Sequence, residues 1–198
     1  MAKTVDYYFT PPSPYTYLAG PRFKALAERN NLVINWKPFD LFAAFALTGQ
    51  KKVKERPPQI QANRLNELRR WGDFLKMKIN IQPKHFPPDP TPSHQMIVAA
   101  TKTGKDVTDL ANAYMAACWA EERDIGDTDT IVAIANEQGF EGKTLLEAAG
   151  STETQQELEQ NTKEAISSNV FGAPTWIYQG ELFWGQDRID FLARAIEK

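Results

Sequence analysis

The chain has 198 residues, of which 42% are hydrophobic and 24% are charged, a composition typical of a globular protein with a sizeable core. Its 23 Lys and Arg residues against 25 Asp and Glu residues give a formal net charge of −2, and it has no long apolar run, so the sequence favours neither a nucleic-acid partner nor a membrane. The N-terminal residues lead directly into the first candidate strand, so we expect no signal peptide and a cytoplasmic protein.

The N-terminal region has the pattern of a βαβ unit. The apolar run from Val5 to Thr10 predicts a strand. Ser13 followed by Pro14 is a typical N-cap and first-turn pair for a helix that ends at about Asn30. Apolar and polar residues alternate from Leu32 to Lys37, which predicts a second strand. The short connections indicate that the two strands are parallel.

A long helical segment follows. We expect a short helix from Asp40 to about Leu47, a basic loop from Gly49 to Pro58, and an irregular proline-rich break from Pro83 to Pro92. Apolar residues at helical spacing predict further helices over Gln59 to Lys76, Asp106 to Glu122, Thr128 to Gln138, Thr144 to Ala149, and Thr152 to Asn169.

The C-terminal region returns to strand chemistry. A hairpin is predicted from Thr175 to Trp184 with a Gln179-Gly180 turn, and Asp187 is the expected N-cap of a final helix. The chain is therefore predicted to be an α/β protein of order βαβ, helical block, ββα. We assign residues 1–48 and 170–198 to one sheet-containing domain, and residues 49–169 to a linker plus an inserted helical domain.

The sequence offers little support for a metal site or a disulfide. His85 and His94 lie in or beside the proline-rich break without a second pair of ligand residues nearby, so we interpret both as surface or loop histidines. Cys118 is the single cysteine and cannot form an internal disulfide.

Ser13-Pro14-Tyr15-Thr16 lies at the junction of the first strand and the first helix, where thioredoxin-type oxidoreductases carry Cys-x-x-Cys. Ser13 and Thr16 cannot cycle between thiol and disulfide, so redox chemistry is excluded at these positions. Ser13 is compatible with two roles. It can be a helix N-cap alone, or its hydroxyl can also donate a hydrogen bond to a bound thiolate at a helix N-terminus.

Two further motifs are candidates for ligand contacts. Pro174 directly precedes a predicted strand, a position compatible with a cis peptide bond that leaves nearby backbone groups available to an extended ligand, or with an ordinary loop proline. The carboxylate of Asp187 can cap the last helix, meet the polar end of a ligand, or do both.

Val5-Asp6-Tyr7-Tyr8-Phe9 leading to Ser13-Pro14-Tyr15-Thr16-Tyr17-Leu18-Ala19, then Val170-Phe171-Gly172-Ala173-Pro174-Thr175, and finally Leu182-Phe183-Trp184-Gly185-Gln186-Asp187-Arg188 form an ordered set of motifs. This set resembles the 2-hydroxychromene-2-carboxylate isomerases, which are relatives of kappa-class glutathione transferases in the DsbA-like branch of the thioredoxin superfamily. The resemblance runs over essentially the whole chain. It implies a thioredoxin-like fold with a large all-helical insertion.

The resemblance also implies that glutathione is the cofactor. Ser13 would then be the catalytic residue that hydrogen-bonds the glutathione sulfur. The other implied glutathione contacts are Tyr15, Glu55, Ala173 before a cis Pro174, Gln186 and Asp187. Glu55 stands where the family commonly has asparagine, and Thr10-Pro11-Pro12 stands where relatives often have an aspartate and apolar residues.

The implied substrate is a small aromatic or unsaturated carboxylic acid, isomerised by a homodimer in aromatic compound degradation. The alternatives are a kappa-like glutathione transferase or peroxidase, and a non-catalytic thioredoxin-like binding module. Candidate cations for the substrate carboxylate are Lys51, Lys52, Lys54, Arg56 and Lys84, each otherwise a solvated surface residue. Candidate aromatic walls, each otherwise a core residue, are Tyr15, Trp71, Phe86 and Trp184.

Overall fold

The computed structural model describes residues 2–198. Within this range the strands form one mixed sheet in the order β2-β1-β3-β4, where β1 is Thr4–Phe9, β2 is Val33–Pro38, β3 is Thr175–Tyr178 and β4 is Glu181–Trp184. Strands β1 and β2 are parallel, whereas the β1–β3 and β3–β4 pairs are antiparallel. The predicted βαβ unit and C-terminal hairpin are therefore confirmed.

Helices connect and cover the sheet. Those of residues 2–198 are α1 (Pro14–Asn30), α2 (Leu41–Thr48), α3 (Pro58–Leu75), α4 (Thr91–Thr101), α5 (Thr108–Trp119), α6 (Thr128–Glu137), α7 (Gly142–Ala149), α8 (Thr152–Ser167) and α9 (Ile189–Ile196). Short 3₁₀ turns lie at Val53–Glu55 and Gln186–Arg188. No helix within residues 2–198 is both long enough and apolar enough to cross a membrane.

Tyr7 on β1 is the centre of an aromatic cluster in the core. Its ring stacks on Trp176, its cross-strand neighbour on β3, with centroids 5.4 Å apart. The Phe9 and Phe23 rings each lie 4.8 Å from the Tyr7 ring. Such pairs contribute about 0.5–1.5 kcal/mol each beyond the area they bury. They hold β1, α1 and β3 together next to the loops that follow β1 and precede β3.

Helix α4 is missing from the sequence-based prediction, which places an irregular break at Pro83 to Pro92 and no helix between that break and Asp106. The helix starts inside that break, with a proline in its first turn, which is a tolerated position. Most of its residues are buried, so no polar face marks it as an amphipathic helix. The helix packs against β2, α7 and α8, and it therefore joins the sheet to the rest of the helical segment.

The last helix also differs from the prediction. Asp187 does not cap it, because the residue lies in the 3₁₀ turn and α9 begins at Ile189 without a side-chain cap. Its carboxylate instead lies 2.7 Å from the Arg188 guanidinium.

The division into residues 1–48 with 170–198 and residues 49–169 stays a prediction, and Met1 lies outside the described residues. Buried side chains from both parts pack into one cluster. It includes Tyr7 and Trp176 near the sheet and Leu68, Met96 and Trp119 from the helical segment.

His94 is a buried residue of α4, so its interpretation as a surface or loop histidine is wrong. Its side chain is 3% exposed, and its Nε2 lies 2.9 Å from the Thr10 hydroxyl. Burial lowers the pKa of His94 to about 4, although the carboxylates of Asp40 and Asp89 oppose this. His85, in contrast, lies half-exposed in the loop, with its ring 3.7 Å from the Asp124 carboxylate.

We predict that His94 makes the fold sensitive to acid. The pKa is lower in the folded chain than in the unfolded one, so stability is complete above about pH 6.5 and falls as the pH drops towards 4, by up to about 3 kcal/mol. His94→Gln should flatten this loss in urea unfolding measured between pH 7 and pH 4. His85→Gln is the control, and it should keep the wild-type slope. Equal slopes for wild type and His94→Gln would contradict the prediction.

Candidate functional site

Ser13 joins the start of α1 to a loop at the far end of the chain. Its Oγ accepts a hydrogen bond from the Thr16 N–H at 3.3 Å, so the predicted N-cap is confirmed. The same hydroxyl donates to the carbonyl of Ala173 at 3.2 Å. Ser13 is 8% exposed, so its hydroxyl lies just beneath the protein surface. The two regions that the sequence motifs singled out therefore meet at one hydroxyl.

The first turn of α1 leaves a donor available beside Ser13. Pro14 has no N–H, and the N–H groups of Thr16 and Tyr17 are bonded to Ser13. The Tyr15 N–H has no acceptor within residues 2–198. Unpaired N–H groups and the helix dipole together favour an anion at such a position. The local backbone therefore suits a thiolate or a carboxylate next to the Ser13 hydroxyl.

The peptide bond between Ala173 and Pro174 is cis, as the resemblance implied. The Pro174 carbonyl accepts from the Gly185 N–H at 2.9 Å, and the Thr175 hydroxyl donates to the Gly172 carbonyl at 2.8 Å. A Cβ at Gly172 would lie 2.2 Å from the Trp184 indole nitrogen, so glycine is required for this close packing. The Ala173 N–H has no acceptor within residues 2–198 and is available to a ligand.

Gln186 is tied to α1 by an arginine that the sequence analysis did not consider. The Arg22 guanidinium donates to the backbone carbonyl of Gln186 at 2.9 Å and also to its side-chain Oε1. Arg22 lies 5.9 Å from the centroid of Trp71 on α3. Gln186 is 2% exposed, and its Nε2 makes no hydrogen bond within residues 2–198. The occurrence of Arg22 among the mostly buried residues of α1 is the signal that could have predicted this contact.

The Glu55 carboxylate makes no hydrogen bond to Ser13 within residues 2–198. Glu55 is exposed and accepts from the Lys52 N–H at 3.2 Å, which closes its own 3₁₀ turn. The same loop instead reaches the Ala173 region through Gln50, whose Nε2 donates to the carbonyl of Phe171 at 2.8 Å. A lone glutamine in a basic loop gives no sequence signal for this long-range contact.

Tyr15 lies where the elements of the candidate site converge. Burial raises the pKa of its phenol, the positive charges of Arg64 and Arg56 oppose this, and the Glu67 and Asp187 carboxylates add to it. These charges come from α3, from the basic loop and from the turn before α9. The phenol of Tyr15 therefore lies within the electrostatic influence of α3, of the basic loop and of the turn that contains Asp187.

Cys118, the single cysteine of the chain, does not provide a thiolate for this site. Cys118 is buried on α5, and burial raises the pKa of its thiol to about 12, so it is protonated at neutral pH. No three His, Cys, Asp or Glu side chains within the described part of the chain are grouped to hold a metal ion. A hydroxyl, two available backbone N–H groups and the buried Gln186 amide are among the groups with which this site can hold a ligand.

The similarity to known proteins extends over essentially the whole chain. The family model described as a DSBA-like thioredoxin domain matches residues 4–197. The 2-hydroxychromene-2-carboxylate isomerase of Sphingobium xenophagum is 31% identical over 198 residues, which covers 97% of each chain. These matches confirm the resemblance on which the sequence analysis relied.

Solved structures show the same fold. A selenomethionine 2-hydroxychromene-2-carboxylate isomerase superposes with a TM-score of 0.80 at 24% identity, covering 98% of this chain and 94% of that one. The cytosolic disulfide reductase DsbM from Pseudomonas aeruginosa, in a structure with GSH, has a TM-score of 0.68 at 15% identity and covers 98% and 94%. The predicted thioredoxin-like fold is confirmed. The chain belongs to the DSBA-like thioredoxin domain family and, within it, to the 2-hydroxychromene-2-carboxylate isomerase family of enzymes.

Proposed function

We propose that this protein is a glutathione-dependent isomerase that acts on 2-hydroxychromene-2-carboxylate or a similar aromatic acid. The observation that carries the proposal is the bond between the Ser13 hydroxyl and the Ala173 carbonyl, because it places a hydroxyl donor, a helix N-terminus and an extended backbone edge together. The names of the relatives supply the substrate class. A neighbour of the same fold is known with GSH.

The groups around Ser13 fit a cysteinyl peptide. The Ala173 N–H can pair with the backbone of the cysteinyl residue, and the Ser13 hydroxyl can turn from the Ala173 carbonyl to the sulfur. Gln186 offers its Nε2 to the γ-glutamyl carboxylate, since Arg22 holds its Oε1. Asp187 offers a carboxylate to the α-amino group. The Glu55 carboxylate closes its own turn, so the proposal assigns the glutathione contact to the loop that contains Glu55 and not to this carboxylate.

When bound, glutathione supplies a thiolate that adds reversibly to an electron-poor carbon and so permits rotation about the former double bond. The chain's contribution is electrostatic. Ser13 and the Tyr15 N–H stabilise the charged sulfur, and the dipole of α1 adds favourable potential. The half-buried ring of Tyr15 shields this place from water. The same groups would serve a kappa-like transferase, so turnover without a stable conjugate is what distinguishes isomerisation.

A homodimer and a cytoplasmic location complete the proposal. The homodimer comes from the family resemblance, and the cytoplasmic location is the one expected in the sequence analysis. Exposed apolar side chains on α2 and α3 support self-association, since Leu47 is 68% exposed and Ile60 is 51% exposed. Light scattering at micromolar concentration measures the assembly directly, and a mass of one chain would refute the dimer.

The first prediction from this proposal concerns the thiol of bound glutathione. Its pKa should fall clearly below the ordinary value of about 8.5, because Ser13 and the α1 N-terminus stabilise the thiolate. Calorimetry measures the binding, and a thiolate absorbance titration of the complex measures the pKa. The absence of binding at millimolar glutathione would refute the proposal.

The second prediction separates catalysis from helix capping. Ser13→Ala should lower kcat/KM for 2-hydroxychromene-2-carboxylate by about 10- to 100-fold, because the sulfur loses a hydrogen-bond donor. Ser151→Ala is the matched control, since Ser151 caps α8 in the same way, with its Oγ 3.2 Å from the Thr154 N–H. Both variants should lose about 1 kcal/mol of stability. Equal activity in the two variants would show that Ser13 only caps its helix.

A further inference from the structure

Arg64 on α3 is a half-buried positive charge without a polar partner. No hydrogen bond or ion pair to its guanidinium exists within residues 2–198. Its neighbours on the outer face of α3 differ, because Arg69 donates to Asn66 and Arg70 pairs with Glu67. A charge removed from water without a counter-ion is costly, and burial accordingly lowers the pKa of Arg64. A ligand that brings the missing negative charge would offset this cost.

The surroundings of Arg64 are aromatic. Its guanidinium carbon lies 5.7 Å from the ring centroid of Phe86 and 5.8 Å from that of Trp119. These two rings pack against each other with centroids 5.0 Å apart. The rings hold the guanidinium by cation–π attraction and leave its N–H groups for another partner. Arg64 is therefore positioned without being neutralised.

The packing of α3 against α1 brings Arg64 to the first turn of α1. Arg22 of α1 lies against Trp71 of α3, and Tyr15 and Arg64 each precede these residues by about two helical turns. Equal spacing along two helices that pack side by side would bring Tyr15 and Arg64 together. The electrostatic effect of Arg64 on the Tyr15 phenol agrees with this placement.

The cationic side chains that the sequence analysis considered for the substrate carboxylate are less suitable than Arg64. Lys51, Lys52 and Lys54 are exposed, and Lys84 is exposed as well. Arg56 donates to the Lys51 carbonyl at 2.9 Å within its own loop. Its charge still acts on Tyr15 and on Arg64, and it therefore adds positive potential at the same place.

We infer that Arg64 forms a carboxylate subsite, and that the carboxylate is that of the aromatic acid substrate, whose flat chain would lie along Phe86 and Tyr15. The inference rests on the proposed function for the identity of this acid. A planar guanidinium can bind a carboxylate through two parallel hydrogen bonds, which fixes the orientation of the acid relative to the Ser13 hydroxyl. The glycine carboxylate of glutathione has the same chemistry, and the experiment separates the two sources.

The test compares two probes that differ by one carboxylate. Benzylidenepyruvate and benzylideneacetone are titrated by tryptophan fluorescence, with and without S-methylglutathione, whose blocked sulfur cannot react. Wild type should bind the acid about 10- to 100-fold more tightly than the ketone. Arg64→Gln should lose this preference, Arg64→Lys should keep part of it, and the exposed control Arg69→Gln should keep all of it.

Three results would overturn the inference. Wild type could show no preference for the acid, or Arg64→Gln could retain the full preference. Alternatively, Arg64→Gln could weaken S-methylglutathione about 10-fold or more, which would assign the subsite to the glycine carboxylate. Failure of the proposed function is seen separately, as the absence of glutathione binding or of turnover by wild type. The acid preference and its dependence on Arg64 are measurable in that case too.

Discussion

The antiparallel pairing of β1 with β3 is the constraint on which the rest of the site depends. Tyr7 lies opposite Trp176 in this pair, and their stacked rings fix the register of two strands that are far apart in the sequence. A slip of one residue would turn these side chains to the other face of the sheet. The loops that follow β1 and precede β3 therefore meet at one edge, where the Ser13 hydroxyl reaches the Ala173 carbonyl.

The helical segment contributes more than a cover over this edge. Helix α3 packs along α1 and supplies Trp71 and Arg64, while α4 supplies His94, which holds the Thr10 hydroxyl beneath the strand-helix junction. Thr10 in turn accepts a hydrogen bond from the Ser13 N–H at its carbonyl. The position of Ser13 is thus supported from β1, from α4 and from the cis-proline loop. Such support from several elements keeps a hydroxyl in the orientation that its chemistry needs.

Charge is distributed unevenly around Tyr15, although the whole chain is close to neutral. Arg64 and Arg56 approach from the helical segment, and the amide end of α1 adds positive potential. The Asp187 carboxylate also acts on Tyr15 and offers the opposite charge to a cationic group. A zwitterionic peptide and an anionic acid have complementary partners in this arrangement, which is consistent with the two ligands of the proposed reaction.

The sequence by itself determined the strands, most helices and the motifs at Ser13, Ala173-Pro174 and Gln186, because local apolar periodicity, capping residues and prolines act over a few residues. It did not determine α4, whose buried faces carry no amphipathic signal. It also did not show that the carboxylates of Glu55 and Asp187 interact with residues of their own turns. Only the tertiary structure decided that Arg22 holds Gln186 and that Arg64 stands without a counter-ion beside Tyr15. These contacts join residues far apart in the chain, and packing of helices against the sheet, rather than any local pattern, brings them together.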